Sequence, residues 1–350
     1  MYKGKIEFNE YDIAKYPFTI DAIKRLDEIG FTLEDLESVV GGSISERVLE
    51  RILNAIHKRT ITTDTRYLNS DDEIIAYYVA IMVLAVMRDP YLDRVYAVAE
   101  AKRAFEYLLH EPLEKIIYIS EKTFSWNIKL FTLSNTIYPA IYFTHFISNV
   151  PEQRGLWKLA NRIILNGYVV VNKNELCRLM ESEIKRKILL DIENMRRQLD
   201  LFQTTRIIEE IVARVRNEWA PLKKRAEMTI SAIAGKEHRY PPCIRRLLQL
   251  AREGENLSHA ARFALASFLL SIGKSVDDVV AIFSTAPDFN ESIARYQVEH
   301  IAGLRGSRKK YLPFKCENMR IYGLCYPDEL CEKVKHPLQY LRVKVKKNER

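Results

Sequence analysis

The sequence predicts a mainly α fold: a helical N-terminal body holding a small α/β unit, followed by a helical C-terminal domain. Three observations lead there. Only 12 Gly and 12 Pro occur in 350 residues, amid abundant Leu, Ile, Ala, Glu, Lys and Arg, a composition of helix formers. Apolar residues recur at three- and four-residue intervals along several segments, the period of one helix face. A single short run, Tyr168–Val171, is β-branched and bounded by turn residues, as a strand requires. At 350 residues the chain exceeds the roughly 250–300 residues that one core sustains, so two domains are expected, 1–212 and 213–350.

The N-terminal body begins with short helices. Ile20, Ile23, Leu26 and Ile29 share one face after Thr19. Ser43 followed by Glu46, and Ser70 followed by Glu73, have the spacing of capping boxes. The second precedes the longest apolar run, Ile74–Met87, which falls short of the roughly 20 residues of a membrane span and reads as a buried helix. Asp89-Pro90 stops it, because proline disfavours helix in its predecessor. A further helix follows from Leu92 to Leu109.

Between Ile117 and Arg206 the texture changes. Tyr138–Phe146 is aromatic and apolar, and the strand Tyr168–Val171 leads through Asn172 into a helix predicted to reach Phe202. Leu176, Leu179, Ile184, Ile188 and Ile192 line one side of that helix, and Cys177 beside them is expected to be a buried free thiol. This α/β unit spans about 150–205. A helix around Ile207–Trp219 then meets Ala220-Pro221 and a charge run, a combination that reads as a hinge. The basic tail, Arg342–Arg350, is expected to fray.

Charge divides the chain unevenly. Residues 214–350 carry 26 Lys and Arg against 15 Asp and Glu, a net of +11, whereas the residues before them net −3. An anionic partner for the C-terminal part is one reading and a solvated basic surface the other. The opening Met1-Tyr2-Lys3-Gly4-Lys5 lacks the apolar block of an export signal. Five cysteines then point to reduced thiols in a cytoplasmic protein.

Cys316, Cys325 and Cys331 lie close together, with Cys243 far upstream after Pro241-Pro242. Four thiolates hold either tetrahedral zinc or a [4Fe–4S] cluster, and this irregular spacing matches no common zinc ribbon. His336 is an alternative fourth ligand, although His336-Pro337-Leu338 reads equally as a turn. A second constellation is Asn256–Arg262. With Asn256 or Ser258 as cap, His259 and Arg262 fall on one face of a helix N-terminus, an arrangement that suits a phosphate as well as an ordinary surface. A third is His300–Tyr311, where Arg305, Arg308, Lys309 and Lys310 accompany two glycines and Tyr311. It resembles either a surface that tracks a nucleic-acid backbone and stacks its bases or a solvated basic loop. No Asp-x-Asp metal pair, Gly-rich phosphate loop ending in lysine, or Gly-x-Ser-x-Gly elbow occurs, so the chain reads as a binding subunit with no active site of its own.

In combination, Pro241-Pro242-Cys243-Ile244-Arg245, Leu257-Ser258-His259-Ala260-Ala261-Arg262, Arg305 through Cys316, Tyr322-Gly323-Leu324-Cys325, Cys331 and His336-Pro337-Leu338-Gln339-Tyr340 resemble the large, regulatory subunit of archaeal and eukaryotic DNA primase. The short intervals after Cys316 look like the archaeal form. The resemblance implies a [4Fe–4S] cluster on Cys243, Cys316, Cys325 and Cys331. It also implies a heterodimer with a catalytic small subunit, docked through the α/β unit. His259 and Arg262 would help hold the initiating nucleoside triphosphate or the 5′ end of the RNA primer, near the single-stranded DNA template. Arg245, Arg246, His300, Arg305, Arg308, Lys309, Lys310 and Tyr311 join them as candidate nucleotide- and nucleic-acid-binding residues. Ser258 stands where eukaryotic relatives carry arginine. The reading from residues alone that competes with this one is a zinc-stabilised nucleic-acid-binding module without a polymerase partner.

Overall fold

The structure is a computed structural model that describes residues 8–30, 43–61, 70–151, 155–199, 205–235, 237–306 and 308–348. Its backbone contacts divide the chain into two compact units, Met1–Glu218 and Trp219–Arg350.

The first unit opens with α1 (Glu10–Lys15), α2 (Ile20–Ile29), α3 (Ser43–Lys58), α4 (Ser70–Met87), α5 (Pro90–His110) and α6 (Leu113–Phe124). Local chemistry sets several boundaries. Thr19 accepts the Ala22 N–H to start α2, and Asp89 accepts from Tyr91 and Leu92 with Pro90 at the first helical position of α5, where its missing N–H costs nothing. Glu73 lies in the first turn of α4. Its carboxylate is buried against Arg47 and Arg51, and Arg51 reaches on to Glu100 at 2.7 Å. Arg51, Glu73 and Glu100 have no solvent exposure, so each charge depends on its partners.

A small antiparallel sheet of order β1-β2-β4-β3 follows, from β1 (Ile128–Leu133), β2 (Thr136–Tyr142), β3 (Ile164–Leu165) and β4 (Tyr168–Val170), with α7 (Phe143–Asn149) between its two hairpins. Both hairpins close on two residues with positive φ, Ser134-Asn135 and Asn166-Gly167, which match the twist of the flanking strands. The sequence predicts only the β4 run. Asn172 and Glu175 exchange capping bonds at 2.9 Å to open α8 (Lys173–Leu199). The apolar side of α8 packs on α4 and α5, with Leu176, Cys177, Leu179, Ile184, Ile188 and Ile192 all buried. Residues 200–202, at the end of the predicted helix, lie outside the described residues.

Helix α9 (Arg206–Ala234) runs unbroken through Val212 and through Pro221, where the sequence reading places a joint. Asn217, whose carbonyl Pro221 leaves without a donor, is exposed, so water can satisfy it. In the second unit follow α10 (Pro242–Arg252), α11 (His259–Ser271), α12 (Val276–Phe283), α13 (Glu291–Ala302), α14 (Cys316–Ile321) and α15 (Pro337–Asn348). Their core gathers Leu247, Leu248, Leu265, Phe268, Leu269, Ile282 and Val298, each contributing roughly 1.5–3 kcal/mol by leaving water. Among the described residues no helix is long and apolar enough to cross a membrane.

Candidate cysteine centre and anion pocket

Cys243, Cys316, Cys325 and Cys331 line one cavity, closed by Pro241, Met319, Arg320, Tyr326, Val334, Pro337 and Tyr340. Each thiol comes from a defined place. Cys243 occupies the first turn of α10, which Pro242 opens, and Cys316 begins α14 with its N–H on the Lys335 carbonyl at 3.0 Å. Gly323, with φ of 67°, ends α14 and turns the chain to Cys325. Asp328 accepts the backbone N–H of Leu330 and Cys331, which starts the 3-10 turn that presents Cys331. The Tyr340 hydroxyl donates to the same carboxylate at 2.6 Å, tying this loop to α15.

Burial pushes the Cys243 thiol up to about 12, and the neighbouring Cys325, Cys316 and Cys331 push the same way. Burial also raises Cys316 and Cys331. Uncompensated thiolates are therefore costly here, and a cationic centre among them offsets that cost. Among the described residues no three His, Cys, Asp or Glu side chains gather closely enough for a single metal ion. The thiols surround a shared cavity instead, and four cysteines around an apolar-rimmed space fit the donor set of a cubane iron–sulfur cluster.

His336 is outside that lining. Its Nε2 lies 3.0 Å from the Pro313 carbonyl, and its Nδ1 accepts the Leu338 N–H at 3.2 Å. With both ring nitrogens engaged it starts α15 as a turn residue. Cys177 is fully buried in the first unit.

The second feature is a cavity of about 340 Å³ lined by His259, Arg262, Phe263, Tyr296, Gln297, His300 and Tyr311, with Phe283, Ala294, Val298 and Ile301 behind them. That size suits a small-molecule ligand. Ser258 caps α11 by accepting the Ala261 N–H at 3.2 Å, so His259 and Arg262 project from its first turns. Across the cavity, α13 supplies Gln297 and His300, and the returning chain supplies Tyr311, whose ring stacks on His300 at 5.4 Å. Two glycines make this return possible. Gly303 has φ of 80°, and a Cβ there would lie 2.8 Å from the Lys310 nitrogen; at Gly306, a Cβ would lie 2.9 Å from the His300 ring.

The remaining predicted cations are elsewhere. Arg305 pairs with Glu299 and lies over the Tyr296 ring. Lys310 donates to the Leu270 carbonyl at 3.1 Å, near the C-terminus of α11, and acts structurally there. Arg308 and Lys309 are exposed on the same return. Arg245 lies 4.0 Å from Asp328, beside the cysteine centre, and half-buried Arg246 follows it on α10. Sequence reasoning missed Gln297, Phe263 and Tyr296. Their spacing from His300 and Arg262 on α13 and α11 was the available signal. It also missed Asp288, which pairs with Arg262 at 2.7 Å.

The fold and these features define a mainly α protein whose C-terminal unit joins a four-cysteine centre to a cation- and aromatic-lined pocket. Comparison with known proteins takes this further. Residues 233–349 match the family described as the C-terminal domain of the large subunit of eukaryotic and archaeal DNA primase. The chain is 35% identical to the DNA primase large subunit PriL of Methanococcoides burtonii, over 94% of this chain and 90% of that one. It is 33% identical to the PriL of Methanosarcina mazei, over 95% and 88%. With PriL of Methanopyrus kandleri the identity is 42% over 50% of this chain and 40% of the other. The chain belongs to the family of DNA primase large subunits.

Proposed function

We propose that this chain is the regulatory, non-catalytic subunit of a heterodimeric DNA primase, stabilising and modulating a catalytic small subunit during RNA primer synthesis for DNA replication in the cytoplasm. Its C-terminal unit carries a [4Fe–4S] cluster on Cys243, Cys316, Cys325 and Cys331. The pocket between α11 and α13 takes the triphosphate of the initiating nucleotide or the primer's 5′ end, with the single-stranded template alongside. The observation that carries this reading is the convergence of His259, Arg262, His300 and Tyr311 on one cavity.

The residues divide the work. The N-terminus of α11, where Ser258 takes the Ala261 N–H, attracts an anion, while Arg262 and His259 supply donors for its oxygens. The stacked His300–Tyr311 pair offers an aromatic face to a base. Exposed Arg308 and Lys309 supply charge for a phosphate backbone. The bound cluster would tether the Cys243 end of α10 to the Cys316–Cys331 loops, and it takes no part in the chemistry. Holding a nucleotide close to the partner's active site turns a rare encounter into a local one.

Docking of the small subunit is assigned to the α/β unit. Leu130, Ile137, Ile147, Leu156, Ile163 and Ile164 are all exposed in and around its sheet, more apolar surface than a solvated sheet needs. Reconstitution tests the proposal as a whole. The candidate small subunit is assayed for primer synthesis with and without this chain, purified anaerobically and analysed for iron. Chain-dependent initiation with bound iron is expected. Zinc in place of iron, with no effect on the small subunit, would establish the nucleic-acid-binding module instead.

A further inference from the structure

Arg262 does not swing freely into its pocket. Its Nε donates to the Leu257 carbonyl at 2.9 Å, and its Nη2 donates to Asn256 Oδ1 at 2.5 Å and to Asp288 Oδ1 at 2.7 Å. A guanidinium carries five N–H donors in one plane. These three bonds use the Nε hydrogen and both hydrogens of Nη2, and the pair on Nη1 lies outside them. The acceptors come from two separate places, the turn before α11 and the segment between α12 and α13. Together they fix both the position and the rotation of the plane. The two fork geometries by which arginine grips an anion each need Nη2 or Nε, and both are engaged.

We infer that Asp288 is a positioning residue: with Asn256 and the Leu257 carbonyl, it locks the Arg262 guanidinium so that only its Nη1 edge is offered to an anion in the pocket. The inference rests on the pocket being the triphosphate site. Asp288 thus serves binding although its own charge repels phosphate, because it is spent on Nη2 and preorganises the donor that remains. An alternative role, competition with the ligand for Arg262, predicts changes of the opposite sign.

Titration calorimetry of the full-length chain with ATP separates the two. Asp288→Ala should weaken binding by roughly five- to tenfold, the effect of loosening one charged hydrogen-bonding group. Asp288→Asn keeps an oxygen that accepts from Nη2 and should bind at least as tightly as the parent. In an Arg262→Ala background, Asp288→Ala should change nothing further, since coupled residues lose their effect together. Tightening by both Asp288 variants would overturn the inference in favour of competition. Equal weakening by Asp288→Ala with and without Arg262 would show that Asp288 acts independently of it, and would overturn it too. An Arg262→Ala chain that binds ATP normally would refute the pocket itself, whereas sensitivity to Arg262→Ala without sensitivity to Asp288→Ala refutes only the positioning role. Should Asp288→Ala melt early, Asn256→Ala removes the companion acceptor, with a weakening of about two- to fivefold expected and no change counting against the inference.

Discussion

Replacing Cys243 by serine removes from the proposed cluster ligands the one cysteine that α10 supplies. Its partner Cys316 is 73 positions along the chain. A cross-link that closes a loop of that size restrains the unfolded chain by roughly 4 kcal/mol, between the values for short loops and for loops of about 100 residues. Burial of Cys243 adds the cost of placing a polar hydroxyl in an apolar site. The variant should therefore lose bound iron and visible colour, and the C-terminal unit should unfold about 4 kcal/mol more easily. The Met1–Glu218 unit has its own core and should be unaffected. Hydrogen exchange followed by mass spectrometry reads the two units separately: protection should fall in α10, α11 and residues 316–340 and hold in α4, α5 and α8. Retention of full iron content by Cys243→Ser, or equal loss of protection in both units, would refute the assignment of Cys243 as a tether.

Two further outcomes follow from the packing. Glu73→Gln leaves Arg51 buried and half-paired, and should cost roughly 3–5 kcal/mol in urea unfolding. Burial raises the Glu73 carboxyl, but Arg51 and Arg47 outweigh it and hold the group below its ordinary value. Its contribution is thus present above the ordinary carboxylate range and lost as pH falls through the lowered folded value, so the variant should show a shallower acid limb in stability against pH. Gly303→Ala combines a left-handed backbone with a Cβ 2.8 Å from the Lys310 nitrogen. It should cost at least about 1–2 kcal/mol and shift the Lys309–Tyr311 backbone, weakening ATP binding more than binding of single-stranded DNA, as fluorescence titrations would measure.

Elements whose signals are local were legible in the sequence. The long helix α8 opens after Asn172, as the sequence places it, and the face from Leu176 to Ile192 is buried as its period requires. The hairpin of β1 and β2 was hidden by Pro139 within β2. Proline argues against a central strand. It is tolerated because its carbonyl accepts the Val171 N–H at 3.0 Å, which places its missing donor on the same side, where the β4 ladder ends. Glu73 matched a capping pattern, and its carboxylate serves Arg51, 22 residues upstream. No local pattern encodes a pairing of that kind. The same limit applies at the pocket. Arg262 and His259 were visible at a helix start, but Asp288 lies 26 residues from Arg262 and meets it only through the packing of α11, α12 and α13. The cysteine set was legible because thiols are rare in the chain, and their convergence came from the fold.

In the proposed function the pocket between α11 and α13 serves the start of a primer. The most direct measurement compares wild-type and Arg262→Ala chains, each reconstituted with the catalytic subunit, in two assays: synthesis begun from nucleotides alone, and extension of a ready-made primer. Loss of a charge-assisted phosphate contact worth about 1.5–3 kcal/mol should lower initiation by roughly ten- to a hundredfold and leave extension nearly unchanged. An equal fall in both rates, or none in initiation, would rule out that role for the pocket.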